Sequence, residues 1–253
     1  MTEIELMVDL HKTLERQGPG SEADTLRALA LTDISEGKNL QVADIGCGTG
    51  GQTLTLARAT GAEITAVDLF PEFLEILEDN AQKEGLQDRI KTVAGSMDSL
   101  NFENASLDLI WSEGAIYNMG FERGVREWGQ YLRPGGYLCV SEITWITAAR
   151  PPEIEAFWNA EYPEIDRASE KIRILESNGY TLAGYFILPE KSWTQHYYQP
   201  LEQAFEAFLE RHGHSQPAMR VVASHREEIG LYQKYGDNYS YGFYIARKAQ
   251  VSR

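Results

Sequence analysis

Short apolar runs alternate with amphipathic stretches through the middle of the chain. LQVADI (40–45) runs into a glycine cluster, and EITAVD (63–68), IKTVAG (90–95), LDLIWS (107–112) and YLCVSEI (137–143) are four further runs. Between them, TLTLARAT (53–60) reads as a helix closed by Gly61. PEFLEILEDNAQKEG (71–85) has apolar residues at 73, 74, 76, 77 and 81, with Pro71 near its start and Gly85 at its end. FERGVREWGQYL (121–132) reads as a helix followed by Arg133-Pro134-Gly135-Gly136. Continuous apolar strands alternating with amphipathic helices are the pattern of βαβ units, whose sheet is covered on both faces. Right-handed crossovers then give an α/β, doubly wound, Rossmann-like sheet.

The flanks differ. Residues 1–36 are polar and predict two helical pieces broken at Gln17-Gly18-Pro19-Gly20, with Ser21 as N-cap of the second. After residue 144, IDRASEKIRILESNGY (165–180) reads as a helix, while YTLAGYFILP (180–189) and YSYGFYIARK (239–248) read as strands. The segment between these strands is too long for a hairpin turn and holds helical stretches near 200–212 and 217–235. It predicts a cap over the C-terminal edge of the sheet, where ligands of open α/β sheets bind. The expected organisation is an N-terminal helical cap segment (1–36), a core (37–188 and 237–253) and a helical cap insertion (189–236).

Composition narrows the function. The 253 residues are 43% hydrophobic, enough for a full core. Lys and Arg total 23 against 38 Asp and Glu, a net charge of −15 that argues against nucleic-acid and anionic-membrane partners. No apolar run approaches the ~18 residues of a membrane span, and the first residues carry acids where a signal peptide carries bases. Cys47 and Cys139 give no disulfide framework, and a cytoplasmic location is expected.

The candidate chemistry begins at Asp44-Ile45-Gly46-Cys47-Gly48-Thr49-Gly50-Gly51, between a strand and a helix. Gly46, Gly48 and Gly51 satisfy the dinucleotide fingerprint G-x-G-x-x-G. Asp44, at the mouth of that loop, argues for a cationic ligand over a pyrophosphate, and S-adenosylmethionine carries both an ammonium and a sulfonium. The run Asp44 to Gly50 resembles the first motif of class I S-adenosylmethionine-dependent methyltransferases. Later landmarks fall in that family's order: Asp68 ending the second strand, Gly95-Ser96-Met97-Asp98 after the third, Asp108 to Ser112 as the fourth, and Leu132 to Gly136 as the turn before the fifth. Together they span residues 40–143.

The resemblance implies a seven-stranded sheet with the last strand antiparallel, and S-adenosyl-L-methionine as cofactor, released as S-adenosyl-L-homocysteine. It implies that Asp68 holds the ribose, that Met97 and Asp98 bracket the adenine, and that the end of the fourth strand faces the methyl group. The cofactor residues expected are Asp44, Gly46, Cys47, Gly48, Gly50, Asp68, Leu69, Ser96, Met97, Asp98, Ser112 and Glu113. The chain further resembles bacterial small-molecule methyltransferases, which implies a small-molecule acceptor.

Methyl transfer rests largely on alignment, with a base needed only where the acceptor loses a proton early. Glu113, Tyr117 and His196 are the catalytic candidates. Tyr117, Trp145, Trp193, His196 and Tyr197 are expected at the acceptor, with Trp145, Trp193 and Tyr197 as an aromatic wall and Tyr117 orienting the acceptor or closing the pocket; His11 is a weaker candidate. Each has a bland alternative: a cap for Glu113, packing for the aromatics, a surface position for His196. His212-Gly213-His214 is too small a set for a metal site. Two other functions remain open, a nicotinamide-dependent oxidoreductase and a non-catalytic S-adenosylmethionine-binding module. The oligomeric state is left open, a homodimer included.

Overall fold

The structure, a computed structural model, describes residues 1–34 and 39–250. The expected boundary between cap segment and core, at 36/37, lies outside the described residues. The chain forms α1 (Glu3–His11), α2 (Glu22–Leu29), β1 (Gln41–Ile45), α3 (Gly51–Thr60), β2 (Glu63–Asp68), α4 (Pro71–Lys83), β3 (Ile90–Ala94), β4 (Leu107–Glu113), α5 (Phe121–Trp128) and β5 (Leu132–Trp145). It continues with α6 (Pro152–Glu161), β6 (Asp166–Arg167), α7 (Ala168–Ser177), β7 (Tyr180–Ile187), α8 (Glu190–Trp193), α9 (Gln199–Arg211), α10 (Gln216–Tyr235) and β8 (Tyr239–Lys248).

The strands order as β3-β2-β1-β4-β5-β8-β7, with β8 antiparallel to both neighbours and the two-residue β6 beside β5. This is the expected doubly wound sheet with its last strand reversed. Alternation within strands divides the core. On β4, Leu109 and Trp111 pack with Leu56, Leu77 and Phe243 on one face, and Ile110 packs with Phe121, Val125 and Leu138 on the other.

Three boundaries depart from the sequence reading. The fifth strand starts at Leu132, not 137, because Leu132 already pairs with Leu107 and the Pro134–Gly136 stretch passes as an irregularity within the strand. The helix expected at 121–132 therefore stops at Trp128, with Gly129 as C-cap. The helix expected from 165 starts at Ala168, since Asp166 and Arg167 pair with Thr144 and Trp145 instead. Helix α6 was not expected; Pro152 sits in its first turn, where a missing N–H costs nothing.

The flanking segments meet at the C-terminal edge of the sheet. Thr2 and Glu5 form a capping box that starts α1. Leu6, Leu10 and Leu14 then pack into one apolar cluster with Ile143 and Trp145 of β5, Tyr239 of β8, and Trp193, Phe205 and Phe208 of the 189–236 segment. Outside this cluster, Asp9 binds Lys12, Arg211 and His212.

Candidate active site

Beyond Ile45 the chain turns sharply. Gly48 has φ +55°, and a Cβ there would land on Gln17 Oε1. Only glycine adopts this backbone without strain and leaves room for that neighbour. Gln17 fills the space: its Oε1 accepts from Thr49 N at 2.9 Å, and its Nε2 donates to Thr49 Oγ1 at 2.9 Å. The linker after α1 is thus tied to the glycine loop.

A cavity of about 570 Å³ opens at this edge of the sheet. Its walls come from the glycine loop (Gly46, Cys47, Gly48), the end of β2 (Asp68 and the following Leu69), the turn after β3 (Ser96, Met97, Asp98), and the end of β4 with the turn beyond it (Glu113, Tyr117, Asn118). Residues 4–19 supply a further wall through Ile4, Met7, Val8, His11, Arg16 and Gln17.

The carboxylates are individually arranged. Asp68 accepts from Gly48 N at 2.8 Å and from Phe70 N at 3.0 Å, so it organises the loop and the start of α4 together. Burial raises its pKa, and those backbone donors pull it back. Asp98 pairs with Arg123 at 2.7 Å and contacts Ser96 Oγ at 3.1 Å. Glu113 has three donors: Arg16 Nη1 donates to Oε2 at 2.7 Å, while Thr25 Oγ1 and Trp111 Nε1 donate to Oε1 at 2.7 and 2.9 Å. One lone pair of Oε2 remains open. Arg16 also donates to Thr25 Oγ1 at 3.1 Å, and its Nε is buried with no partner.

Several expected site residues lie elsewhere. Asp44 is fully buried beneath the loop, not at its mouth; it accepts from Thr53 Oγ1 at 2.5 Å and from Gln52 Nε2 at 3.4 Å. Burial, with the Glu113 charge adding, pushes its pKa up to about 7 against those two donors and Arg16. Gly50 faces Leu77 at the start of α3 rather than the cavity. Ser112 is buried and donates to Ile45 O at 2.8 Å, binding β4 to β1.

The expected aromatic wall is a correction. Trp145 packs edge-on to Tyr239, and Trp193 stacks on Tyr232 at 4.6 Å while donating to Ser240 Oγ at 2.8 Å. Both belong to the apolar cluster. Tyr197 lies behind the cavity wall, its hydroxyl 3.3 Å from His11 Nε2. His196 is exposed and does not line the cavity. The neighbouring aromatics of its helical turn point inward to the cluster, which leaves the histidine outside. His11 lines the cavity. Cys47 lines the cavity, but burial, with Asp44 and Asp68 adding, pushes its thiol well up, so it is no nucleophile.

Arg16, Gln17 and the α1 wall escaped the sequence reading. One signal was present. Leu6, Leu10 and Leu14 make one helical stripe, while Ile4, Met7, Val8 and His11 make a second, so α1 has two faces to cover.

Residues 42–136 match the family model described as a methyltransferase domain. Over that stretch the chain is similar to S-adenosylmethionine-dependent methyltransferases. Methyltransferase GfsG of Streptomyces halstedii is 35% identical over 112 residues, 44% of this chain and 40% of that protein. The chain thus spans well under half the length of that relative. A methyltransferase of Thiobacillus denitrificans solved with S-adenosyl-L-homocysteine superposes with TM-score 0.79 at 19% identity, covering 97% of this chain and 98% of that one. The [4+2]-cyclase SpnF superposes with TM-score 0.74 at 22% identity over 94% and 86% of the two chains. The same fold therefore carries different chemistries, and activity must be argued from the site. Among the described residues, no helix is long and apolar enough to cross a membrane.

Proposed function

We propose that the chain transfers the methyl group of S-adenosyl-L-methionine to a small-molecule acceptor and releases S-adenosyl-L-homocysteine. The observation that carries this reading is the Arg16–Glu113 pair beside the glycine loop, with Arg16 Nε buried and unpartnered on the same cavity as Asp68 and Met97. A methionyl end bears a carboxylate and an ammonium, and a buried cation–anion pair complements both.

Arg16 takes the carboxylate and Glu113 the ammonium. Gly46, Cys47 and Gly48 let the backbone approach closely, Asp68 accepts from the ribose hydroxyls, and Leu69, Ser96, Met97 and Asp98 surround the adenine. Asp44, Gly50 and Ser112 hold the loop from behind. When bound, S-adenosylmethionine supplies a methyl group already activated on a sulfonium. The protein's own contribution is alignment and exclusion of water by α1. In this reading residues 1–36 and 189–236 form the cap on a core of 37–188 and 237–253. Two buried, free cysteines suit a cytoplasmic setting.

Calorimetric titration decides between this and a nicotinamide-dependent reaction. S-adenosyl-L-homocysteine is expected to bind and NADH to give no heat; the reverse result overturns the proposal. An acceptor screen that follows S-adenosyl-L-homocysteine release separates an enzyme from a binding module.

A further inference from the structure

The fold already holds one buried ammonium. Lys171 Nζ lies 3.1 Å from Glu142 Oε1 and donates to Glu164 O at 2.8 Å, with the ring centres of Phe121 and Tyr162 4.6 and 5.2 Å away. A carboxylate matches the charge, and two aromatic rings stand where water would be.

Tyr162 meets Tyr117 at close to a right angle, ring centres 5.9 Å apart, and beyond it the same ingredients recur without a lysine. Tyr117 follows β4, where the methyltransferase reading puts the methyl group, and it is 39% exposed on the cavity. It is not among the residues assigned to the cofactor. Burial raises its pKa; Asn118 lowers it, and the charges of Glu228 and Glu142 raise it again, so the ring is a neutral phenol at pH 7. Tyr241 stands against the neighbouring stretch of wall, since a Cβ on Gly114 would lie 3.0 Å from its ring.

Glu228, on α10, lies one aromatic layer behind that wall. Its Oε1 accepts from the Tyr198 hydroxyl at 2.9 Å; Tyr198 packs on Trp193 at 5.9 Å, and Trp193 on Tyr241 at 5.2 Å. Glu142 is matched by Lys171, but among the described residues no Lys, Arg or His pairs with Glu228. Burial raises its pKa, the Tyr198 hydroxyl lowers it, and the charge of Glu161 raises it; a cation nearby favours the ionised form. The cavity offers no such cation of its own: Arg16 is the only Lys or Arg among the described residues that line it, and Glu113 neutralises Arg16.

We propose that the acceptor carries a basic nitrogen, held as its ammonium against the ring of Tyr117 in the field of Glu228. The inference rests on the methyltransferase reading and narrows its acceptor class. Tyr117 makes the contact. Glu228 acts through space across the aromatic layer, and its charge offsets the repulsion between that ammonium and the cofactor's sulfonium.

Three probes of similar shape test it: phenethylamine, 2-phenylethanol and 3-phenylpropanoate, each titrated into full-length protein saturated with S-adenosyl-L-homocysteine. The amine is expected to bind about tenfold tighter than the alcohol, the worth of a cation on a ring in a site partly free of water. The carboxylate is expected to bind more weakly than the alcohol. Tyr117→Phe keeps the ring and most of the preference for the amine, whereas Tyr117→Leu abolishes it. Glu228→Gln lowers the ratio of amine to alcohol affinity about threefold or more and leaves the affinity for the alcohol in place. An alcohol that matches the amine, a carboxylate that binds as tightly as the amine, no measurable binding of the amine, or an unchanged ratio in Tyr117→Leu or in Glu228→Gln each overturns the inference. Should Tyr117→Leu fail to fold, Glu228→Gln and the ranking on the unmodified protein decide. Binding of S-adenosyl-L-homocysteine is measured first: its absence defeats the methyltransferase reading, whereas its presence with a flat ranking defeats the acceptor inference alone.

Discussion

Arg16 and Glu113 form an ion pair at 2.7 Å with both side chains only 6% exposed, joining residues distant in sequence across the mouth of the sheet. A buried pair of this kind is costly to break from one side, because the remaining charge is stranded. Glu113→Ala is expected to destabilise the fold by about 3–5 kcal/mol. The double variant Arg16→Met, Glu113→Gln removes both charges and recovers most of that loss in chemical denaturation. It still binds S-adenosyl-L-homocysteine at least about tenfold more weakly by calorimetry, since a charged hydrogen bond is gone. Undiminished affinity in the double variant refutes the role given to Arg16.

Asp68 offers a more local test. Asp68→Ala is expected to weaken S-adenosyl-L-homocysteine binding by about tenfold or more, through lost ribose contacts and a loosened loop. Asp68→Asn keeps an acceptor oxygen and is expected to fall between the two. A dissociation constant that does not move in the alanine variant rules out this assignment.

Acid and base slopes oppose each other in this protein. Burial, with His11 adding, holds His225 down to about 4, below its ordinary value of 6.5. Its folded pKa is depressed, so it withholds a proton that the unfolded chain binds. That stability is present above pH 6.5 and is lost as pH falls towards 4, about 3 kcal/mol in all. Asp44 is raised from 3.8 to about 7, so its contribution is present below pH 3.8 and is lost as pH rises through 7, about 4 kcal/mol. Between pH 4 and 6.5 the two largely cancel. Thermal melts of His225→Phe without cofactor are expected to fall as pH rises through this window, and those of Asp44→Asn to rise. Parallel pH profiles for the two variants contradict the assignment.

Gly48→Ala places a methyl group on Gln17 in a left-handed backbone. The expected destabilisation is about 2 kcal/mol, part strain and part displacement of Gln17. Gln17→Ala clears the space, so the double variant loses less than the sum of the singles. Strict additivity in denaturant melts shows that the two residues do not compete.

How much was legible follows from what each feature depends on. The sheet was readable because strands buried on both faces must be apolar throughout, and LDLIWS around Ile110 can be little else. The loop was readable because Gly46 and Gly48 meet a backbone demand visible within a few residues. The acceptor side was not. Trp193 and Tyr197 are chemically the same whether they stack in a core or line a pocket, and only the packing of Tyr232 against Trp193 decides. Arg16 was hidden for the opposite reason: an arginine in a polar linker looks solvated until Glu113, 97 residues later, is brought to it. Glu113 lies at the cavity, but its three donors come from different segments, and its place at the end of the fourth strand could not show them.

The wall formed by α1 has a consequence for how the molecule is made. Helix α1 is synthesised well before α9 and α10, yet it packs on both. Residues 42–136, which match the methyltransferase-domain model, are synthesised before those partners of α1 exist. During translation the glycine-loop end of the cavity is therefore complete while Leu6 and Leu10 of the α1 wall are still uncovered. The cavity closes only once α9 and α10 have been made, and a ribosome stalled before residue 199 carries a nascent chain with the loop built and the α1 side open to solvent.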